Sequence, residues 1–260
     1  MELIDTHGHL TFGELAGDID EVIGRSVEAG VSRWITVGTD VDENEKVLAL
    51  PAKFDNLFAA VGFHPHCAKD ISDGDLAALK EYAQEGKVVA IGETGLDYHY
   101  NFSKQDAQKH IFAAQLRIAE KLDLPVVIHC RNAFDETLAV LDKFSGRLKD
   151  VVFHCYGGTC EQTEMLLKKG YYLSFTGIVT FKKTDEVRAA AKLVPLDRMM
   201  IETDCPYISP EPVRNKRPCE PAMLIHTAKK LAEIHDMPLE DFARAIARTS
   251  ERFFSLAKAE

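Results

Sequence analysis

Short apolar runs rich in Val and Ile recur along the chain, separated by stretches whose apolar residues fall three and four apart. The runs read as buried strands and the spaced stretches as amphipathic helices. Strands are expected at 3–4, 31–37, 57–61, 88–91, 125–128, 151–153, 171–175 and 199–201. Helices are expected over 17–29, 42–50, 73–85, 104–122, 134–144, 160–169 and 184–194, with 221–235 and 238–257 completing the set. In the first helix Ile19, Val22, Ile23 and Val27 share a face, Asp18 and Asp20 suit its start, and Gly30 suits its end. Strand and helix alternate through eight strands, which implies a parallel sheet closed on itself: an α/β protein with a single (β/α)8 TIM barrel. The alternative is an open doubly wound sheet, and the lack of a glycine-rich phosphate loop after any strand counts against it.

Composition narrows the class. The 260 residues suit one domain spanning 1–260. No apolar run is long enough to cross a membrane, and Met1-Glu2-Leu3 leads straight into a strand, so no signal peptide is expected. The six cysteines form no CxxC pair, which fits reduced thiols in a cytoplasmic protein. A net charge of −10 excludes a protein that coats nucleic acid by bulk charge. It leaves room for an enzyme that grips phosphates locally.

The chemistry lies where the strands stop. The run Val88-Val89-Ala90-Ile91 is followed by Gly92 and then Glu93, a carboxylate at the exit of a buried strand. Alone, Glu93 fits a metal ligand or half of a buried ion pair equally well. The other strands end in the same way. His7 and His9 follow the first strand on one face, and Asp5 on that face could orient a ligand ring. His64 and His66 flank Pro65 after the third, as ligands, phosphate contacts or structural groups. The preferred roles are substrate contact for His64 and support for His66. His129 follows the fifth strand, His154 the sixth and Asp204 the eighth. Six of the ten histidines lie in such strand-end motifs, which random placement would scatter over helices and both barrel ends.

His7, His9, Glu93, His129, His154 and Asp204 therefore form the expected metal-ligand set, at the barrel face where active sites form. Imidazoles and carboxylates without thiolates suit Zn²⁺, Mn²⁺ or Mg²⁺. Cys130, Cys155 and Cys205 should point to the opposite faces of their strands. Six ligands exceed the needs of one open site, so two divalent ions are expected, roughly 3.5–4 Å apart, with Glu93 as the bridge. Asp204 is the expected acceptor of the attacking water's proton.

The motifs Asp5-Thr6-His7-Gly8-His9, Gly62-Phe63-His64-Pro65-His66, Gly92-Glu93-Thr94-Gly95-Leu96-Asp97, His129-Cys130-Arg131, His154-Cys155-Tyr156 and Glu202-Thr203-Asp204-Cys205-Pro206-Tyr207 resemble those of the TatD family. The match is in the family's order and spans nearly the whole chain. The resemblance implies a metal-dependent deoxyribonuclease on an amidohydrolase-type barrel, with ligands at the six positions above. It also implies 3′-to-5′ exonuclease activity on DNA and a role in DNA repair or fragmentation. Two stretches depart from the family: Tyr156-Gly157, and Arg217-Pro218-Cys219-Glu220-Pro221. Neither touches a ligand, and both lie where substrate would be held.

Three functions follow from these readings: hydrolysis of DNA phosphodiesters, hydrolysis of a small ester, amide or phosphoester on the same site, or a non-catalytic metal scaffold. Basic and aromatic groups near the expected mouth favour the first. They include Arg131, Lys182, Lys183, Arg214, Lys216 and Arg217, with Tyr98, Tyr100 and Tyr156 as stacking surfaces. Of these, Tyr98, Arg131, Lys216 and Arg217 are the preferred substrate contacts. DNA is the expected partner, with neither a membrane nor an obligate protein partner.

Overall fold

The computed structural model describes residues 2–256 of the chain. Eight parallel strands form one sheet whose order follows the chain. The elements run β1 (Leu3–Gly8), α1 (Gly13–Gly17), α2 (Ile19–Glu28), β2 (Val31–Val37), α3 (Val41–Ala49) and β3 (Leu57–Val61). They continue with α4 (Asp73–Tyr82), β4 (Val88–Asp97), α5 (Gln105–Leu122), β5 (Val126–Arg131), α6 (Phe134–Leu141) and β6 (Val151–Phe153). Last come α7 (Cys160–Lys168), β7 (Tyr172–Phe175), α8 (Asp185–Leu193), β8 (Met199–Ile201), α9 (Leu224–Ile234) and α10 (Leu239–Phe254).

The chain divides into two units, residues 37–154 and residues 1–36 with 155–260. In the central unit β3, β4, β5 and β6 pair in turn, with Val61 beside Ile91, Gly95 beside His129 and Ile128 beside Phe153. Its core is built on Leu57, Phe63, Leu79, Phe112 and Phe153, all fully buried. In the terminal unit β1 pairs with β2 and β7 with β8. A bridge from Gly8 to Cys205 joins β1 to the segment after β8. Leu3, Ile35, Phe175, Phe242 and Phe253 form that unit's core. Arg33, almost fully buried, is neutralised by Glu2 and Glu251, each at 2.5 Å.

All eight expected strands are present, and the helices match the spacing with shifted ends. The first expected helix is α2, from Ile19 to Glu28, and a short helix that the spacing did not place, α1, precedes it at Gly13–Gly17. The stretches expected at 134–144 and 221–235 each contain a short 3₁₀ turn beside the α-helix. The last helix stops at Phe254, and the expected end at 257 lies outside the described residues. Capping boxes of Ser72 with Asp75 and Thr159 with Gln162 start α4 and α7. The main difference is β4. It does not end before Glu93 but continues to Asp97, with Glu93, Thr94 and Asp97 buried within it.

Candidate metal centres

The length of β4 follows from what its polar residues meet. Gly95 has a φ of +146°, and a Cβ there would lie 1.9 Å from the His129 carbonyl oxygen. Only glycine allows β4 and β5 to pair at this point. The strand ends are then held by amide side chains. Gln115 of α5 accepts the Phe63 N–H at 2.8 Å and donates to the Phe63 carbonyl at 3.0 Å and Thr94 Oγ1 at 2.7 Å. Gln108, two turns earlier, accepts the Asp97 N–H at 2.8 Å and donates to its carbonyl at 3.0 Å. Asn44 of α3 brackets Gly62 in the same way, at 2.9 and 2.8 Å. These amides satisfy buried backbone groups that have left the ladder.

So held, the central unit gathers three imidazoles around one carboxylate oxygen. Glu93 Oε1 lies 2.6 Å from His154 Nε2, 2.7 Å from His129 Nδ1 and 3.6 Å from His64 Nε2. Burial would push the Glu93 carboxyl up. The charges of His154 and His64 and the hydrogen bonds from His129 and His154 outweigh it, holding the group well below the carboxylate range. His129 donates from both ring nitrogens, Nδ1 to Glu93 and Nε2 to Asp97 Oδ2 at 3.1 Å. Burial opposes this charge, but the two carboxylates raise the pKa of the imidazole. Asp97 also accepts from His66 Nε2 at 2.9 Å and from the N–H groups of His99 and Tyr100, each at 2.9 Å. Burial raises its carboxyl, yet these bonds hold it far below the usual range.

The terminal unit builds its own cluster. His7 Nε2 and His9 Nε2 lie 3.9 and 3.5 Å from Asp204 Oδ1. The backbone fixes all three: Asp204 N–H donates to the His7 carbonyl at 3.0 Å, and His9 N–H to the Cys205 carbonyl at 2.7 Å. Asp204 has a φ of +54°, in the left-handed region that Asp tolerates better than most residues. Cys155, with a φ of +46°, also takes that strained conformation directly after His154. Its N–H is held by Glu202 at 2.5 Å.

Both clusters fit a divalent cation. His7, His9 and Asp204 have ligand atoms within 4.8 Å of one another, as do His64, Glu93 and His129. In the terminal unit two nitrogens stand around one carboxylate oxygen beyond hydrogen-bond range, a spacing that suits a cation shared among them. In the central unit the ring nitrogens of His129 and His154 crowd one buried carboxylate oxygen, an electronegative centre that stabilises positive charge.

Several sequence-predicted residues take other places. Asp5 does not orient an imidazole. It accepts the Thr203 N–H at 2.9 Å and Thr203 Oγ1 at 2.6 Å, tying β1 to the exit of β8, and burial raises its pKa to about 7. Tyr156 is not a stacking surface, because it is 6% exposed and its hydroxyl meets Thr163 Oγ1 at 3.0 Å. Tyr98 is half-buried, Arg131 is exposed, and so are Lys216 and Arg217. His66 Nε2 meets Asp97 Oδ2 at 2.9 Å, and His64 Nε2 stands 3.6 Å from Glu93 Oε1, within the central cluster. Asp97, Glu202, Gln108 and Gln115 were missed. The glutamines, seven residues apart and so on one face of a helix, were the available signal.

An eight-stranded parallel β/α fold carrying strand-end histidines and carboxylates defines a barrel hydrolase of the metal-dependent class. The TatD related DNase family model matches residues 4–255, and the chain belongs to that family. It is 37% identical to an uncharacterised metal-dependent hydrolase, YabD of Bacillus subtilis, covering 98% of this chain and 99% of that one. It is 38% identical to the 3′-5′ ssDNA/RNA exonuclease TatD of Cronobacter sakazakii, over 89% of each. The crystal structure of YJJV, a TatD homologue from Escherichia coli, superposes with a TM-score of 0.92 at 29% identity, covering 98% of both chains. The expected (β/α)8 TIM barrel is thereby borne out.

Proposed function

We propose that the protein is a metal-dependent exonuclease that removes nucleotides from the 3′ end of single-stranded DNA, each cluster taking one divalent cation. One observation carries the reading: in each unit, two or more imidazoles converge on a single carboxylate oxygen supplied by another motif. A cation held there would polarise a phosphoryl oxygen and acidify a water. His7, His9 and Asp204 hold one cation, and Glu93, His64, His129 and His154 supply the ligands of the other. Asp97 fixes the ring of His129 through Nε2, leaving Nδ1 for the cation. Asp204 is the more open of the two cluster carboxylates, 13% exposed against 3% for Glu93. It therefore takes the proton from the attacking water.

Lys216 and Arg217, exposed on the loop after β8, meet the DNA backbone. No helix among the described residues is long and apolar enough to cross a membrane, and none of the six cysteines forms a disulfide. Reduced thiols support a cytoplasmic setting, and a nuclease there would serve DNA repair or turnover. The test is metal analysis of the purified protein, then product mapping on end-labelled single-stranded DNA. Stepwise shortening from the 3′ end, abolished by chelator and restored by Zn²⁺, Mn²⁺ or Mg²⁺, is expected. Chelator-resistant cleavage, or hydrolysis of small esters alone, would overturn it.

A further inference from the structure

Three of the large apolar side chains exposed among the described residues are aromatic: Tyr100, Phe102 and Tyr207. Tyr100 and Phe102 lie on the segment after β4 and are 48% and 58% exposed. Their rings stack on each other, with centroids 5.4 Å apart and planes 16° from parallel. His66 stands edge-on to both, at 5.4 Å from Tyr100 and 4.8 Å from Phe102. The pair is also anchored from below. Asp97 accepts both the Tyr100 N–H and His66 Nε2, and the same carboxylate holds His129. At the end of β5, Arg131 places its guanidinium 4.8 Å from the Tyr100 ring centroid. Among the described residues no carboxylate pairs with that guanidinium.

A parallel pair of rings held open to water forgoes the burial that usually places such side chains in a core. What it offers instead is an exposed π-surface, with a guanidinium lying over the Tyr100 ring and no carboxylate partner for it among the described residues. Every nucleobase has a π-face, and every nucleotide a phosphate, so this combination binds a strand without reading its sequence. We propose that Tyr100, Phe102 and Arg131 form a nucleobase-stacking subsite, with a base of the substrate strand on the rings and its flanking phosphate on Arg131. A base within a duplex has no free face, so the subsite takes single strands. The proposal rests on the nucleic-acid reading above and assigns that reading a binding element outside the metal ligands.

The test compares the parent, the double variant Tyr100→Ala with Phe102→Ala, and the conservative variant Phe102→Tyr. Each is given a 5′-labelled single-stranded oligonucleotide and a series in which one terminal position at a time is abasic. Because both rings are exposed, folding is checked by melting temperature alone. The parent should prefer the intact strand over at least one abasic strand by roughly fivefold to a hundredfold in kcat/KM, the range of one base–aromatic stack. The double variant should lose that preference and Phe102→Tyr should keep it. A parent indifferent to every abasic position, a double variant that keeps the preference, or one that loses equally on all strands overturns the subsite. If the parent cleaves no nucleic acid but hydrolyses a small phosphodiester, the nucleic-acid reading itself falls, and the subsite with it.

Discussion

At the residue scale, the site depends on what each charged side chain touches. Replacing Asp204 by Asn preserves an oxygen for the cation but removes the proton acceptor. The expected loss in kcat is about 10²–10⁴-fold with the fold intact, checked by single-turnover kinetics at saturating metal. A variant within a fewfold of the parent removes Asp204 from that role. Asp97 makes a different kind of contribution. Its carboxylate raises the pKa of His129 and sets the direction of its Nδ1, so Asp97→Asn should lower the basicity of that ring. Affinity for one of the two cations should fall about 10–100-fold in a chelator competition, with the other cation retained. Equal loss of both, or of neither, argues against the assignment. The cluster histidines were legible because each follows an apolar run and recurs at strand ends. Asp97 was not, because the sequence shows a carboxylate near a loop but not the two imidazoles and two N–H groups that share it.

At the element scale, helices were legible from spacing, and strands only as far as they stayed apolar. The end of β4 was misplaced because Glu93, Thr94 and Asp97 are buried polar residues, which a hydrophobic pattern cannot distinguish from a loop. Their burial depends on α5, whose glutamines hold Thr94 Oγ1 and the backbone groups of Phe63 and Asp97. Gln115→Leu keeps the volume but leaves the Phe63 N–H and carbonyl without their amide partner. One or two unsatisfied buried groups should cost about 2–4 kcal/mol of stability, measured by denaturant titration. The central cluster should weaken with it, since Phe63 precedes His64 and Thr94 follows Glu93. Gln115→Glu retains the acceptor for the Phe63 N–H but turns a second acceptor on the Phe63 carbonyl in a fully buried place, so it should lose at least as much. If the leucine variant is as stable as the parent, the amide does not hold these strand ends.

At the scale of the whole molecule, the alternation of strand and helix pointed to the barrel, and the charge distribution points to the substrate. The protein carries a net charge of −10, yet Arg214, Lys216 and Arg217 are all exposed in one short loop. The loop is fixed in the terminal unit: Ser209 Oγ donates to the Lys216 carbonyl at 2.6 Å, and Cys219 N–H to the Pro206 carbonyl at 3.0 Å. Arg214 is committed to the Phe181 ring, 3.8 Å from its centroid. Among the described residues Lys216 and Arg217 have no such ring contact, which leaves both for phosphate. An acidic protein gains nothing in solubility from a local reversal of sign, whereas a polyanionic strand gains counterion release at each phosphate met. Reversing both residues to Glu should raise the KM for single-stranded DNA. It should also flatten the log–log salt dependence by roughly 1.4, the slope of two phosphate contacts on a single strand. Bis(p-nitrophenyl) phosphate, which carries a single phosphate, serves as the reference. A DNA loss well above the loss on that ester, with the flattened slope, places the loop on the strand. Equal losses on both would make it structural, and an unchanged salt slope would make it a solvated rim.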